Sequence, residues 1–247
     1  MNALRGCKAV YKRELRQYFD TPLAYVLSVA FLLLAGMFSF YLGNFYDGGQ
    51  ANLDGFFRWH PWLFLFFIPA VSMRLWAEET RQGTSELLLT LPVSTAEAIA
   101  GKFFAAWTFV VATVAGTFPI WMTVNYLGDP DNGRIVAGYL GSALMAGAYL
   151  GIGLAVSAAT RNQVVAFVVT AVICFLFIAS GYPMVLDFFS AAGAPQPLLD
   201  TISYFSFITQ FQEMTEGLIG LTHLSYFGSL ALFWLAVNYL LLRQRHA

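Results

Sequence analysis

The stretch FFAAWTFVVATVAGTFPIWMTVNYLG, which runs from Phe103 to Gly128, contains no charged side chain. A helix rises about 1.5 Å per residue, and roughly 20 apolar residues cross the hydrocarbon of a bilayer. This stretch is therefore long enough to span a membrane. The whole chain has the same character, because 58% of its 247 residues are hydrophobic and only 11% are charged, against about a quarter in soluble domains. We predict an all-α membrane protein.

Further blocks without charged residues lie on both sides of this stretch. The block from Pro61 to Met73 is short, but Leu75 to Ala77 extend it to spanning length if the Arg74 side chain reaches the interface. The sequence SGYP, from Ser180 to Pro183, should interrupt the block that contains it near its outer end. The blocks predict six transmembrane helices in one domain over residues 21–247, at about 21–46, 59–77, 103–128, 135–160, 162–189 and 220–242.

The basic residues indicate how the chain is oriented. Membrane proteins concentrate lysine and arginine in their cytoplasmic segments. If the N and C termini are both cytoplasmic, every lysine and arginine falls on that side except Arg58 and Arg134. We therefore predict a multi-pass protein with cytoplasmic termini.

Residues 1–20 have the pattern of an amphipathic helix. Such a helix would lie at the inner interface with its cations near anionic lipid headgroups, although a plain positively charged flank is the alternative. On a helical wheel the apolar face consists of Leu4, Cys7, Tyr11, Leu15 and Tyr18, and the separate basic arc consists of Arg5, Lys8, Lys12, Arg13 and Arg16.

A polar segment, EETRQGTSELLLTLPVS from Glu78 to Ser94, separates the second predicted span from the third. Gly83 should end the helix that continues from span two, and Thr84 or Ser85 can cap a new short helix. The leucines that follow would be presented in the cytoplasm, which indicates a docking surface for a partner protein. The alternative is an ordinary solvated loop.

Three stretches resemble a known family. They are FDTPLAY from Phe19, RLWAEETRQGTSELLLTLPVSTAEAIAGKF from Arg74, and QFQEMTEGLIGLTHLSYFGSLALFWLAVNYLLLRQR from Gln210. Together they resemble the type-2 ABC transporter permeases, and most closely the gliding-motility (GldF-like) branch. The resemblance implies the permease subunit of an ATP-driven exporter in the bacterial cytoplasmic (inner) membrane.

The resemblance also implies partners and a docking site. Residues 1–20 would be the family's elbow helix, and the 78–92 loop would hold its coupling helix, with Lys102 opening span three. A separate cytoplasmic ATP-binding subunit would bind ATP and Mg, a second permease copy would complete the pathway, and a companion membrane protein would supply a large periplasmic domain. The implied docking residues are Glu78, Glu79, Arg81, Gly83, Thr84, Glu86, Leu87 and Leu88.

The remaining motifs do not support catalysis or the binding of a metal or cofactor by this chain. Gly101-Lys102 lacks the first glycine and the hydroxyl of a phosphate-binding loop, and no HExxH motif or acid pair lies in a span, so we predict no catalytic residue, metal or cofactor. No charged group lies in the apolar blocks, which disfavours ion-coupled transport. Basic tracts for nucleic acid are also missing. The alternative to an exporter is a force-transmitting scaffold or channel that acts on a periplasmic subunit.

Two further patterns concern packing and gating. Small residues recur every four positions in the fourth span, with Gly147, Gly151 and Ala155 at the centre of the stripe, which allows close helix packing within one subunit or across a dimer. The segment from Ser190 to Gly217 is rich in aromatic residues. If it gates the exit, its rings should rest in the outer leaflet or on the external face of the dimer; those rings are Tyr204, Phe205, Phe207 and Phe211.

Overall fold

The computed structural model describes residues 3–43, 52–83 and 93–245. All elements in these ranges are helical, as predicted. The helices are α1 (Ala3–Asp20), α2 (Pro22–Met37, continued by a π-helical turn at Phe38–Leu42), α3 (Asp54–Arg58), α4 (His60–Ser72), α5 (Ala77–Gln82), α6 (Thr95–Ala115), α7 (Phe118–Leu127), α8 (Asn132–Ala159), α9 (Gln163–Ala179), α10 (Pro183–Ala191), α11 (Gln196–Tyr204), α12 (Phe207–Thr215) and α13 (Leu221–Arg245).

Four helical stretches in the described residues are long and apolar enough to cross a membrane. The number rises to five if α9 and α10, which are separated by a bend of 76°, together form one span. The bend falls at Ser180–Pro183, so the predicted interruption there is confirmed. The four stretches are Pro22–Leu42, Thr95–Leu127, Asn132–Ala159 and Leu221–Gln244.

The second predicted span differs from the expectation of one helix that runs on to Ala77. Helix α4 has 13 residues and ends at Ser72, so it is about 20 Å long, shorter than the roughly 30 Å of hydrocarbon. The next backbone groups bond to a side chain of α8 instead of continuing the helix. The Ser157 hydroxyl donates to the carbonyl of Met73 at 2.9 Å and accepts from the backbone N–H of Trp76 at 3.1 Å.

Helix α8 lies at the centre of the fold and packs against α4, α6, α9, α12 and α13. Its stripe of small residues faces other helices of the same chain. A Cβ atom on Gly151 would meet the backbone of Ala231 on α13 at 3.2–3.3 Å, and the space at Gly147 is bounded by Trp107 and Phe103 of α6. Ala155 is also buried. These contacts place the stripe inside one subunit, where it allows α8 and α13 to approach closely.

Helix α1 packs along α6. The approach is tight at Gly101, where a Cβ atom would lie 2.7 Å from the Cβ of Val10. The buried row of α1 consists of Gly6, Val10, Glu14 and Tyr18, whereas Cys7, Tyr11 and Leu15 are only half-buried. The predicted apolar face is therefore displaced around the helix. The packed row also includes a carboxylate, Glu14, which the helical wheel did not place there.

Candidate coupling site

Lys102 is the centre of an ion-pair network between three helices. It lies in α6 and is 1% exposed. Its ammonium group donates to the carboxylates of Glu14 and Glu79 and to the carbonyl of Leu75, each at 2.9 Å. The Nζ atom also lies 4.8 Å from the ring centroid of Trp76. A buried ammonium needs such partners, because without them its desolvation would cost several kcal/mol.

Arg13 completes the network from the outside. Its guanidinium donates to Glu14 at 2.6 Å and to Glu79 at 3.0 Å, and about half of its side chain is exposed. We call the set Arg13, Glu14, Glu79, Lys102 and the Leu75 carbonyl the charged corner. Two cations face two carboxylates, so the charged corner has no net charge.

The ionisation of Glu14 follows from these contacts. Burial by itself raises the pKa of the Glu14 carboxyl. The positive charge of Lys102 and the hydrogen bonds from Arg13 and Lys102 together outweigh burial, and the pKa lies below the ordinary value of a glutamate. The folded-state pKa is lowered, so this carboxylate stabilises the fold at neutral pH, and the stabilisation is lost as the pH falls through that lowered pKa.

Helix α5 brings Glu79 to the charged corner. The helix begins at Ala77, whose backbone N–H donates to the Ser157 hydroxyl at 3.1 Å, so its first turn is held against α8. It ends at Gly83, which has φ of +69°, a left-handed conformation that favours glycine. A helix end at Gly83 is thus confirmed, but the helix that ends there is α5 and not a continuation of α4. Residues 73–76 and the six-residue helix α5 link the end of α4 to the segment that follows Gly83.

The chain returns from that segment directly into α6. The Ser94 hydroxyl accepts from the backbone N–H of Glu97 at 3.3 Å, and the Glu97 carboxylate accepts from the backbone N–H of Ser94 at 2.7 Å. This reciprocal capping box fixes the first turn of α6. Lys102 follows less than two turns later. Residues 84–92 therefore lie between two members of the charged corner, Glu79 five positions before them and Lys102 ten positions after them.

The predicted docking residues are only partly within the described chain. Glu79 belongs to the charged corner, and Glu78 accepts a hydrogen bond from Gln82 at 3.3 Å. Arg81 and Gly83 are exposed at the end of α5. The other four, Thr84, Glu86, Leu87 and Leu88, lie outside the described residues.

Sequence reasoning missed two residues of this site. The helical-wheel prediction places Glu14 in neither the apolar face nor the basic arc of residues 1–20, and no prediction concerns Ser157. A signal for Glu14 exists, since it falls four residues after Val10 and four before Tyr18, on the row that packs on α6. Ser157 gives no comparable signal, because its partners precede it by about 80 positions along the chain.

The structure divides the four predicted gate residues into two pairs. Tyr204 and Phe205 are 45% and 47% exposed, which agrees with a surface position. Phe207 and Phe211 are buried in the protein, so the expectation that their rings rest in the leaflet or on an external face is wrong. Phe207 begins α12 and stacks on Tyr149 and Phe177 with centroid distances of 4.6 and 5.0 Å.

The fold defines a class of protein before any comparison. Several long apolar helices surround a central helix, so the chain is a multi-pass membrane protein. The model of one family, described as ABC-2 family transporter protein, matches residues 62–242. The chain belongs to that family, which makes it a membrane permease component of an ABC transporter. A search of curated proteins gave no match.

Family membership also indicates the kind of partner with which such a chain works. Proteins of this family are membrane components and not enzymes themselves, and they generally work with a cytoplasmic ATP-binding subunit. The match begins at Trp62 and includes α5, the segment after it and α6. It does not extend to α1 and α2.

Proposed function

We infer that this chain is the permease subunit of an ATP-driven exporter and that the 78–92 segment docks the ATP-binding subunit. One observation carries the proposal: the helices on both sides of this segment meet in the charged corner. A displacement of the segment would be transmitted to α5 through Glu79 and to α6 through Lys102. Because Glu14 bonds the same ammonium, the displacement would also reach α1.

The remaining features of the proposal follow from the likeness to type-2 permeases. They are six spans, an interfacial elbow helix formed by α1, a second permease copy, and a companion protein with a large periplasmic domain. The described outer segments are short helices, α10 to α12, and are too small to form such a domain. Outward transport is likewise proposed on the family likeness.

The docking proposal is tested by assembly with the ATP-binding protein encoded nearest to this chain. We expect the two to co-purify, and we expect Glu86→Lys combined with Leu88→Asp to abolish co-purification and to lower permease-dependent ATP hydrolysis at least tenfold. The matched control is Asp200→Lys on α11, an exposed charge reversal that should leave assembly unchanged. Unchanged assembly with the double variant would refute docking through this segment. Co-purification and hydrolysis without any transported molecule would favour the force-transmitting alternative.

The proposed topology is tested separately by thiol labelling in a background with Cys7 and Cys174 replaced by alanine. Asp129 precedes α8 and Arg243 lies near the end of α13, and both are exposed. A reagent that does not cross membranes should label Asp129→Cys in intact cells. It should label Arg243→Cys only after the inner membrane is permeabilised. The reverse pattern would contradict cytoplasmic termini.

A further inference from the structure

A cavity of about 350 Å³ lies between α11, α12 and α13. Its volume is in the range of small-molecule binding sites in proteins. The cavity is remote from the charged corner, because α12 packs on α8 at Gly141, whereas α5 is held to α8 at Ser157. These two positions lie roughly 24 Å apart along the helix. Each described side chain that lines the cavity carries a polar group: Asp200, Ser203, Tyr204, Thr209, Gln210, Glu213, Thr222 and His223.

Two of these side chains form a buried wall with defined hydrogen bonds. Gln210 and His223 are only 4% and 6% exposed. The amide nitrogen of Gln210 donates to the carbonyl of Tyr204 at 3.2 Å, so the amide oxygen is the atom that lies 3.0 Å from Nδ1 of His223. Because an amide oxygen can only accept a hydrogen bond, Nδ1 carries the proton. In the neutral imidazole the other ring nitrogen, Nε2, is therefore an acceptor.

The Nε2 atom of His223 faces a second acceptor. It lies 3.4 Å from the Oε2 atom of Glu213, whose side chain is half exposed. Within the described residues no other group donates a hydrogen bond to either atom. Two acceptors at this distance are stable only if a donor lies against both, and that donor is either a second ring proton or an N–H group of a ligand. The cavity gives a ligand access to this point, since both side chains line it.

The charge of the cavity selects a cation. Its lining holds two carboxylates, Asp200 and Glu213, and neither lysine nor arginine. The 190–217 segment, which supplies both carboxylates, contains a third acid, Glu216, and no basic residue. The described residues hold no group of three or more histidine, cysteine or acidic side chains that could bind a metal ion, which favours an organic cation. The ring of Tyr204 adds an aromatic group, which also attracts organic cations.

We propose that this cavity is a binding site for an organic diamine. One ammonium group donates to Nε2 of His223 and to the carboxylate of Glu213, and the second is bound by Asp200. The hydroxyls of Ser203 and Thr209 accept further N–H bonds. The site belongs to this chain alone and needs no ATP-binding subunit, so its failure would leave the docking proposal untouched.

The test measures binding of the diamine putrescine to the full-length permease by isothermal titration calorimetry. The protein is held in nanodiscs of phosphatidylcholine, which has no net charge, at about pH 8, where an ordinary histidine is neutral. We expect Glu213→Gln and Asp200→Asn each to weaken binding about tenfold or more, since a hydrogen bond to a charged group contributes at least that factor. Both carboxylates are exposed, so these variants should fold as the native protein does. Butylamine, which has a single ammonium group, should bind about tenfold more weakly than putrescine.

Glu216→Gln is the matched control, because Glu216 is an exposed carboxylate of the same segment that does not line the cavity. It should leave the affinity for putrescine unchanged. Equal weakening by Glu216→Gln and Glu213→Gln would overturn the proposal, since the attraction would then come from general surface charge. No binding of putrescine to the folded native protein would also overturn it. Binding of magnesium in place of putrescine, lost in Glu213→Gln, would do the same and would assign the cavity to a metal ion.

Discussion

Lys102→Met should break the charged corner and lower the stability of the solubilised permease by about 3 kcal/mol, since removing one partner of a buried ion pair leaves the other charges uncompensated. The methionine keeps most of the stem that occupies the space beside Trp76 but removes the ammonium. The carboxylates of Glu14 and Glu79, which both contact Nζ at 2.9 Å, would then face each other with only Arg13 to neutralise them. The thermal midpoint of the purified protein measures the effect.

A triple variant separates a structural role from a coupling role. Replacing Glu14 and Glu79 by glutamine together with Lys102→Met removes the buried charges in one step, and neutral replacements of a buried ion pair often restore stability. Arg13 is about half exposed and can remain in water. We expect the triple variant to regain most of the lost stability and still to hydrolyse ATP with its partner.

We expect that hydrolysis to be uncoupled from movement of the spans. Nitroxide labels at Asp129 and Gln196 report the distance between the N-terminal end of α8 and α11, and both positions are exposed. In the native sequence ATP should change this distance, and in the stabilised triple variant the change should be lost. An intact ATP-dependent change would show that the charged corner only stabilises the fold. The exposed Arg16→Gln is the control and should alter neither stability nor movement.

The elements that could be predicted are those whose cause lies within one stretch of sequence. Charge-free blocks predict long helices, and SGYP combines a permissive glycine with a proline that lacks a backbone N–H donor, so an interruption between α9 and α10 was expected. The end of α5 at Gly83 also has a local cause, because glycine adopts φ of +69° without a steric cost from Cβ.

The features that were missed depend on partners distant in sequence. Nothing near Ser72 predicts the end of α4, because the hydroxyl that stabilises the following turn comes from Ser157. Glu14 can be buried in part because Lys102, 88 positions further on, supplies a counter-charge. The predictions therefore named Glu79 and the helix end at Gly83, which lie within one segment, and omitted the contributions of α1 and α8. The docking role of Glu79 and Gly83 stays a prediction.

The burial of the aromatic residues in the 190–217 segment also depends on partners distant in sequence. If the ring of Phe207 rested in the leaflet, Phe207→Asp would change transport in an assembled protein. Because Phe207 is fully buried and stacks on Tyr149 and Phe177, an aspartate there places a carboxylate in an apolar core. We expect a loss of about 5 kcal/mol, from the lost ring contacts and the buried charge together. That loss should prevent recovery of folded protein.

Phe205 is the position at which gating can be tested without unfolding. Its ring is about half exposed, and the bond from the Tyr226 hydroxyl at 2.6 Å goes to its backbone carbonyl, which a substitution keeps. We expect Phe205→Asp to insert, fold and assemble with a stability change within about 1 kcal/mol. If the segment gates the exit, this variant should fail to complement a strain that lacks the permease.

Leucine substitutions supply the controls for both positions. Phe207→Leu keeps an apolar side chain in the core and should yield folded protein, which would attribute the failure of Phe207→Asp to buried charge and not to loss of the ring alone. Phe205→Leu keeps an apolar group at the surface and should complement. A carboxylate in a working gate would have to enter a poorly hydrated site each time the gate closes, at a cost in free energy. Full complementation by a folded Phe205→Asp variant would therefore show that the segment only connects α10 to α13.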